Sequence, residues 1–273
     1  MEAIETICDV SINGETVQIE ITGTGPTVLL LHGWSMDRRM WRPQIAALSK
    51  TYRVVAVDRR GFGKSSAPPD LDKEPEDINA LLDFLDCDDC ALVGMSQGGR
   101  IALRFAHKYP EKLWGLVLQG APLDGFPPPD NDKELIPISL YSSLVSTGET
   151  VQMKKLWREH PLMQCEDPSS QSLIEKILDE YEARDLLAQK ENSGSPSPSL
   201  APVLDTIKVP TLIINGERDT DWLLQVANAL DHGLPNSEYL VISGAGHFSN
   251  LSHPGEFNEA VLSFLRSCQK EKS

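Results

Sequence analysis

Gly94-Met95-Ser96-Gln97-Gly98 is a G-x-S-x-G pentapeptide set between the apolar run Cys90-Ala91-Leu92-Val93 and the helical pattern Gly99-Arg100-Ile101-Ala102-Leu103-Arg104-Phe105-Ala106. Strand, sharp turn and helix in that order are what a nucleophilic serine on a strained elbow requires. The turn is tight enough that side chains two residues before and two after the serine would collide, and Gly94 and Gly98 remove that collision. The hydroxyl then stands at the carboxyl end of a strand, over a helix N-terminus that favours developing negative charge.

Outward from the elbow the chain alternates strand and helix. Residues 4–21 read as an antiparallel hairpin turning at Asn13-Gly14. Continuous apolar runs follow at Thr27–Leu31, Tyr52–Val57, Cys90–Val93, Leu116–Leu118, Thr211–Ile214 and Tyr239–Ile242, as expected of strands buried on both faces. Helical stretches fall between them at about 37–49, 75–86, 97–108, 221–232 and 254–268. This predicts an α/β fold with a mostly parallel sheet, eight-stranded, and helices on both faces. The rhythm breaks between Pro122 and Lys208, where helical patterns at Val151–Arg158 and Ser172–Leu187 lie between Pro127-Pro128-Pro129 and the Ser/Pro-rich stretch 193–199. The expected division is a core of 1–121 and 209–273, a helical insertion at 122–208, and a flexible connection at the Ser/Pro stretch.

A serine hydroxyl needs a base. Of six histidines, His247 follows the last strand in Ser243-Gly244-Ala245-Gly246-His247, where a loop can reach Ser96 across the carboxyl edge of the sheet. His32, in His32-Gly33-Trp34, reads as a structural residue orienting its loop, and His253, before Pro254, as a capping or surface residue. The base needs a carboxylate to fix its tautomer. Asp219, in Asn215-Gly216-Glu217-Arg218-Asp219, follows a strand end and gives the order Ser, Asp, His of this elbow class. Asp124 is a rival at another strand end, and Asp221 reads as the start of the next helix. The oxyanion donors are expected to be the backbone N–H groups of Gln97 and Trp34. The Trp34 side chain either lines the pocket or serves packing alone.

Bulk properties exclude several classes. The 273 residues carry a formal net charge of −15, which repels phosphate backbones and argues against nucleic acid as a partner. No apolar run approaches the ~18–20 residues that span a bilayer, so no membrane partner is expected. The N-terminus is acidic and unlike a signal peptide, which points to a soluble, cytoplasmic protein, a monomer or homodimer. Cys87-Asp88-Asp89-Cys90 has no second pair to complete a zinc site, and no metal or organic cofactor is implied. Asp58-Arg59-Arg60-Gly61-Phe62-Gly63-Lys64-Ser65 lacks the spacing of a phosphate loop.

Together His32-Gly33-Trp34, Asp58 to Ser65, Gly94 to Gly99, Asn215 to Asp219 and Gly244 to His247 resemble the α/β-hydrolase fold superfamily over nearly the whole chain. The resemblance implies that residues 122–208 are a cap over the active site, the part that usually sets substrate choice. Two subfamilies are echoed. His32-Gly33-Trp34 with Trp41 and Asp58 to Gly63 is similar to aryl esterases that double as cofactor-free haloperoxidases, though Ser35 stands where those usually have proline. Ser96-Gln97-Gly98-Gly99-Arg100, Gly216 to Asp219 and Trp157-Arg158-Glu159-His160-Pro161-Leu162 are similar to a menaquinone-pathway member that eliminates pyruvate. In that second case Arg100 and Trp157 would bind substrate, Arg100 facing an anionic group; otherwise Arg100 is a helix-surface residue. The expected function is hydrolysis of a small carboxylic ester or lactone. A triad-dependent C–O lyase or C–C hydrolase is the alternative, and a non-catalytic receptor on the same fold the third.

Overall fold

The computed structural model describes residues 5–188 and 199–272. Strands β1 (Glu5–Ile12) and β2 (Glu15–Thr22) form the expected hairpin, with Asn13 and Gly14 both at positive φ (51° and 82°), as a two-residue primed turn demands. Then follow β3 (Thr27–Leu31), α1 (Arg42–Leu48), β4 (Arg53–Val57), α2 (Glu74–Phe84), β5 (Cys90–Met95), α3 (Gln97–Lys108) and β6 (Leu113–Gln119). Helices α4 (Ile138–Ser146), α5 (Thr150–Arg158), α6 (Pro168–Glu180) and α7 (Arg184–Ala188) come next. The chain closes with β7 (Thr211–Gly216), α8 (Asp221–Gly233), β8 (Ser237–Ile242), α9 (Ser249–Ser252) and α10 (Pro254–Lys272).

The eight strands form one sheet in the order β1-β2-β4-β3-β5-β6-β7-β8. The β1–β2 and β2–β4 pairs are antiparallel and all others parallel. Successive side chains of a strand point to opposite faces. Val28 and Leu30 of β3 accordingly belong to the same apolar cluster as Ile45 of α1 and Phe257 and Val261 of α10, while Leu29 and Leu31 belong to the cluster on the other face with Leu81 of α2, Ile101 of α3 and Val226 of α8. Burying such a side chain contributes about 1.5–3 kcal/mol, which is why the central strands are apolar throughout.

Helices α4–α7 lie between β6 and β7, where the sequence rhythm breaks. Their two ends meet: the Leu200 N–H donates to the Asp124 carbonyl at 3.0 Å, and Ala201 to the same oxygen at 3.3 Å. The expected flexible connection falls at 193–198, outside the described residues, apart from Ser199. The periodicity at Ser172–Leu187 predicts one helix, but the structure has two, α6 and α7. Tyr181, Glu182 and Ala183 interrupt it, with Ala183 buried at φ 57°. The break has a partner: Tyr181 donates its hydroxyl to Asp185, one turn into the new direction.

Candidate active site

Ser96 joins β5 to α3 with φ 50° and ψ −119°, a conformation that L-residues avoid and that persists only where the surroundings enforce it. The enforcement is visible. The Ser96 N–H donates to the carbonyl of Gln119, the last residue of β6, at 2.8 Å. A Cβ on Gly98 would stand 2.3 Å from the Leu31 carbonyl oxygen, and one on Gly94 would stand 2.5 Å from the Gly98 oxygen. The glycines therefore admit the backbones of β3 and α3 to the elbow, rather than only sparing each other.

His247 and Asp219 come from the loops after β8 and β7, neighbouring strands at the carboxyl edge. His247 Nδ1 lies 3.1 Å from both carboxylate oxygens of Asp219. Asn215 and the Thr220 N–H donate to the same carboxylate at 3.1 and 2.9 Å, so the acceptor is fixed from two sides. Both side chains are buried. Gly120, at φ 52°, makes room: a Cβ there would meet the His247 ring at 2.8 Å. Asp124 instead binds Arg104 at 2.6 Å, away from His247, and Asp221 opens α8 behind the Thr220 cap. His32 is fully buried, donating from Nδ1 to the Gly33 carbonyl and accepting the Arg59 N–H on Nε2. Burial and the nearby Arg59 charge hold its pKa well below the ordinary value.

Ser96 and His247 line one cavity with Gly33, Trp34, Met36, Met95, Ile136, Trp157, Leu162, Met163 and Phe248. The space left is about 20 Å³, enough for one water-sized group. Trp34 and Trp157 thus both face the cavity. Gln97 opens α3, so its N–H has no carbonyl one turn earlier in the helix to bind. Its side chain is held apart, accepting from Arg59 at 3.1 Å. Arg100 is placed elsewhere: its Nε lies 3.5 Å from Asp124, outside the lining of this cavity.

Sequence reasoning passed over three contributors. Gln119 donates from Nε2 to the His247 carbonyl (3.2 Å), Ser249 Oγ (3.1 Å) and Asn250 Oδ1 (3.0 Å). A polar residue ending the apolar run Leu113–Leu118 was the available signal. Ser35 accepts the Trp157 indole N–H at 2.8 Å, and Asp185 accepts that of Trp34 at 2.7 Å. Neither contact has a sequence signature; the sequence marks Ser35 only as standing where aryl esterases usually have proline. Among the described residues, no group of three or more His, Cys, Asp or Glu is placed to hold a metal, and no helix is long and apolar enough to cross a membrane.

A serine on a strained elbow, a carboxylate-held histidine and a mostly parallel eight-stranded sheet define a hydrolase of the α/β class. The chain belongs to the alpha/beta hydrolase family, whose model matches residues 28–260, and it is a hydrolytic enzyme. It is 32% identical to a 2-hydroxy-6-oxononadienedioate/2-hydroxy-6-oxononatrienedioate hydrolase of Paraburkholderia phymatum, over 89% of this chain and 88% of that one. It is 26% identical to 3-oxoadipate enol-lactonase 1 of Acinetobacter baylyi, over 98% of this chain and all of that one. A thermophilic esterase from Thermogutta terrifontis superposes with a TM-score of 0.79 at 26% identity, covering 96% of this chain and 99% of the esterase.

Proposed function

We propose that this enzyme hydrolyses a small, uncharged carboxylic ester or lactone through Ser96, His247 and Asp219. The observation that carries the reading is that Ser96, on its strained elbow, and His247, held by Asp219, open onto one apolar cavity. Ser96 Oγ attacks the carbonyl carbon while His247 Nε2 takes its proton. Asp219 accepts the Nδ1 proton, fixes the tautomer and stabilises the imidazolium. The N–H groups of Trp34 and Gln97 hold the oxyanion. The tetrahedral intermediate expels the alcohol, which takes the proton from His247. Water, deprotonated by His247, then releases the acid and restores Ser96.

The walls favour a short apolar acyl group. Met36, Met95, Ile136, Leu162, Met163 and Phe248 line the cavity, and among the described residues no lysine or arginine does. A dicarboxylate, such as the name of the Paraburkholderia relative describes, would be left there without a counter-charge, at high desolvation cost. Residues 122–208 serve as the cap, since Ile136, Trp157, Leu162 and Met163 close the cavity from that segment. Among the described residues the five cysteines form no disulfide, which suits a reducing compartment such as the cytoplasm.

The test is fluorophosphonate labelling with peptide mapping, alongside nitrophenyl acetate, butyrate and the mono-ester of succinate. Labelling confined to Ser96, with the neutral esters favoured at least about tenfold over the succinate, is expected. Turnover surviving in Ser96→Ala would overturn the reading, and a preference for succinate would overturn its substrate half.

A further inference from the structure

The most unusual polar contact outside the triad is a carboxylate buried in the helical insertion. Asp185 is only 8% exposed and is bound by two neutral donors, the Trp34 indole N–H at 2.7 Å and the Tyr181 hydroxyl. None of the salt bridges among the described residues includes it. Burial pushes its carboxyl above the ordinary range. A buried carboxylate with no direct ion pair is costly, the charge of Arg59 easing it only from a distance, and the helix is interrupted at a strained Ala183 just before it. It reaches Trp34, which lines the same cavity as Ser96 and is read as one of the two oxyanion donors.

A second tie runs beside the first. Trp157 of α5 donates its indole N–H to Ser35, which holds a positive φ of 60°. A non-glycine residue keeps that conformation only when its neighbours impose it. Trp34 is also wedged among Trp157, Tyr141 and Tyr181, with ring centroids 4.6, 6.3 and 6.2 Å away. The insertion therefore grips both residues 34 and 35, the turn that follows β3.

We propose that Asp185 is a positioning residue that couples seating of the helical insertion to formation of the oxyanion hole, by holding Trp34 so that its N–H faces the oxygen of the carbonyl that Ser96 attacks. The proposal rests on the reading of Trp34 as an oxyanion donor. When the insertion is seated, the carboxylate and Ser35 lock the turn and the donor is aimed; when it lifts, the turn is released and the donor is lost. Chemistry is thereby confined to the state in which the insertion covers the cavity.

The experiment compares wild type with Asp185→Ala, Asp185→Asn, Trp34→Phe and the Asp185→Ala/Trp34→Phe double variant in the full chain. It measures kcat/KM on nitrophenyl butyrate and the inhibition constants of two ketones. Trifluoromethyl butyl ketone adds the serine and forms an oxyanion; methyl butyl ketone has similar shape and does not. Asp185→Ala should lower kcat/KM and weaken the trifluoro ketone by the same factor, about 10- to 100-fold, below the ~10²–10³ of deleting a donor outright. Methyl butyl ketone should bind within about twofold of wild type, because the loss is confined to the transition state. Asp185→Asn should recover to within about threefold, since its amide oxygen can take the indole N–H while its NH₂ donates to the Tyr181 oxygen. The double variant should be no worse than the poorer single one, because both substitutions break one link.

Equal weakening of both ketones would overturn the proposal, since that is the mark of general loosening, and so would additive losses in the double variant. Should Asp185→Ala not fold, Trp34→Phe decides: unchanged affinity for the trifluoro ketone overturns the link. A wild type that neither labels at Ser96 nor turns over esters overturns the hydrolase reading and this proposal with it. An active wild type with unaffected variants overturns the coupling alone.

Discussion

The Gln119 carbonyl accepts the Ser96 N–H at 2.8 Å, so the end of β6 pins the strained residue of the elbow. The same Gln119 donates through its side chain to the His247 carbonyl at 3.2 Å. One residue thus spans the loop of Ser96 and the loop of His247. Gln119→Leu keeps the backbone tie and removes the other. It leaves the His247 carbonyl, Ser249 and Asn250 without their shared donor. Urea denaturation should show a loss of roughly 2–3 kcal/mol, with ester turnover falling at least about tenfold as the histidine loop loosens. An unchanged midpoint would show that the network carries no weight.

The two acidic candidates at strand ends should separate cleanly in a kinetic assay. Asp219→Asn keeps the shape and mispositions the His247 proton, a change that lowers kcat by about 10⁴ in enzymes of this triad type. Asp124→Asn weakens the pair with Arg104 at 2.6 Å and should leave kcat within about threefold, as neither residue lines the cavity of Ser96 and His247. Similar losses in both would reassign the carboxylate.

Gly98 offers a test of the elbow's packing. An alanine Cβ would lie 2.3 Å from the Leu31 oxygen and 2.5 Å from that of His32. Neither backbone can retreat without shifting β3. Gly98→Ala should cost at least about 2–3 kcal/mol, at or beyond the usual range of overpacking, measurable as a lower thermal midpoint.

His32 should make stability depend on pH in a defined sense. Its folded pKa is depressed, so below the ordinary value near 6.5 the unfolded chain takes up a proton that the folded chain refuses. Stability then falls as pH drops through 6.5, by up to about 1.4 kcal/mol per pH unit. The buried carboxyls of Asp58 and Glu74, raised by burial, act with the opposite sign at lower pH, because the folded chain keeps protons that the unfolded chain has released. His32→Gln retains those carboxyls. The difference in slope between the two proteins from pH 7 to 5.5 should therefore isolate the histidine, and equal slopes would refute its neutral burial.

Where local chemistry dictates structure, the sequence was readable. Thr27–Leu31 has to be a strand covered on both sides, Asn13-Gly14 has to turn, and the glycines around Ser96 have to admit other backbones. The order Ser96, Asp219, His247 followed from loops after strands of a parallel sheet, which all open at one edge. The insertion was read less well, because its features depend on partners distant in the chain. Nothing between Ser172 and Leu187 announces a break at Ala183, since the periodicity runs on through it; the break accompanies a hydrogen bond of Asp185 to Trp34, 151 residues away. Arg100 shows the same limit. Its spacing from Ser96 suits a substrate contact or a helix surface equally, and only the meeting of α3 with the segment after β6 sets it beside Asp124.

The hydrogen bond between Leu200 and Asp124 closes the helical excursion at its neck, so the core receives it through a single doorway. A closed loop grows cheaply, with each doubling of length adding only about 0.6 kcal/mol of closure entropy. Segments of very different size can be spliced at that neck without moving β6, β7 or the residues at their ends. On the proposed reading of residues 122–208 as the cap, selectivity can then evolve, or be engineered, as an exchangeable cassette over a constant reaction centre. A transplanted segment would also have to bring its own anchor for Trp34.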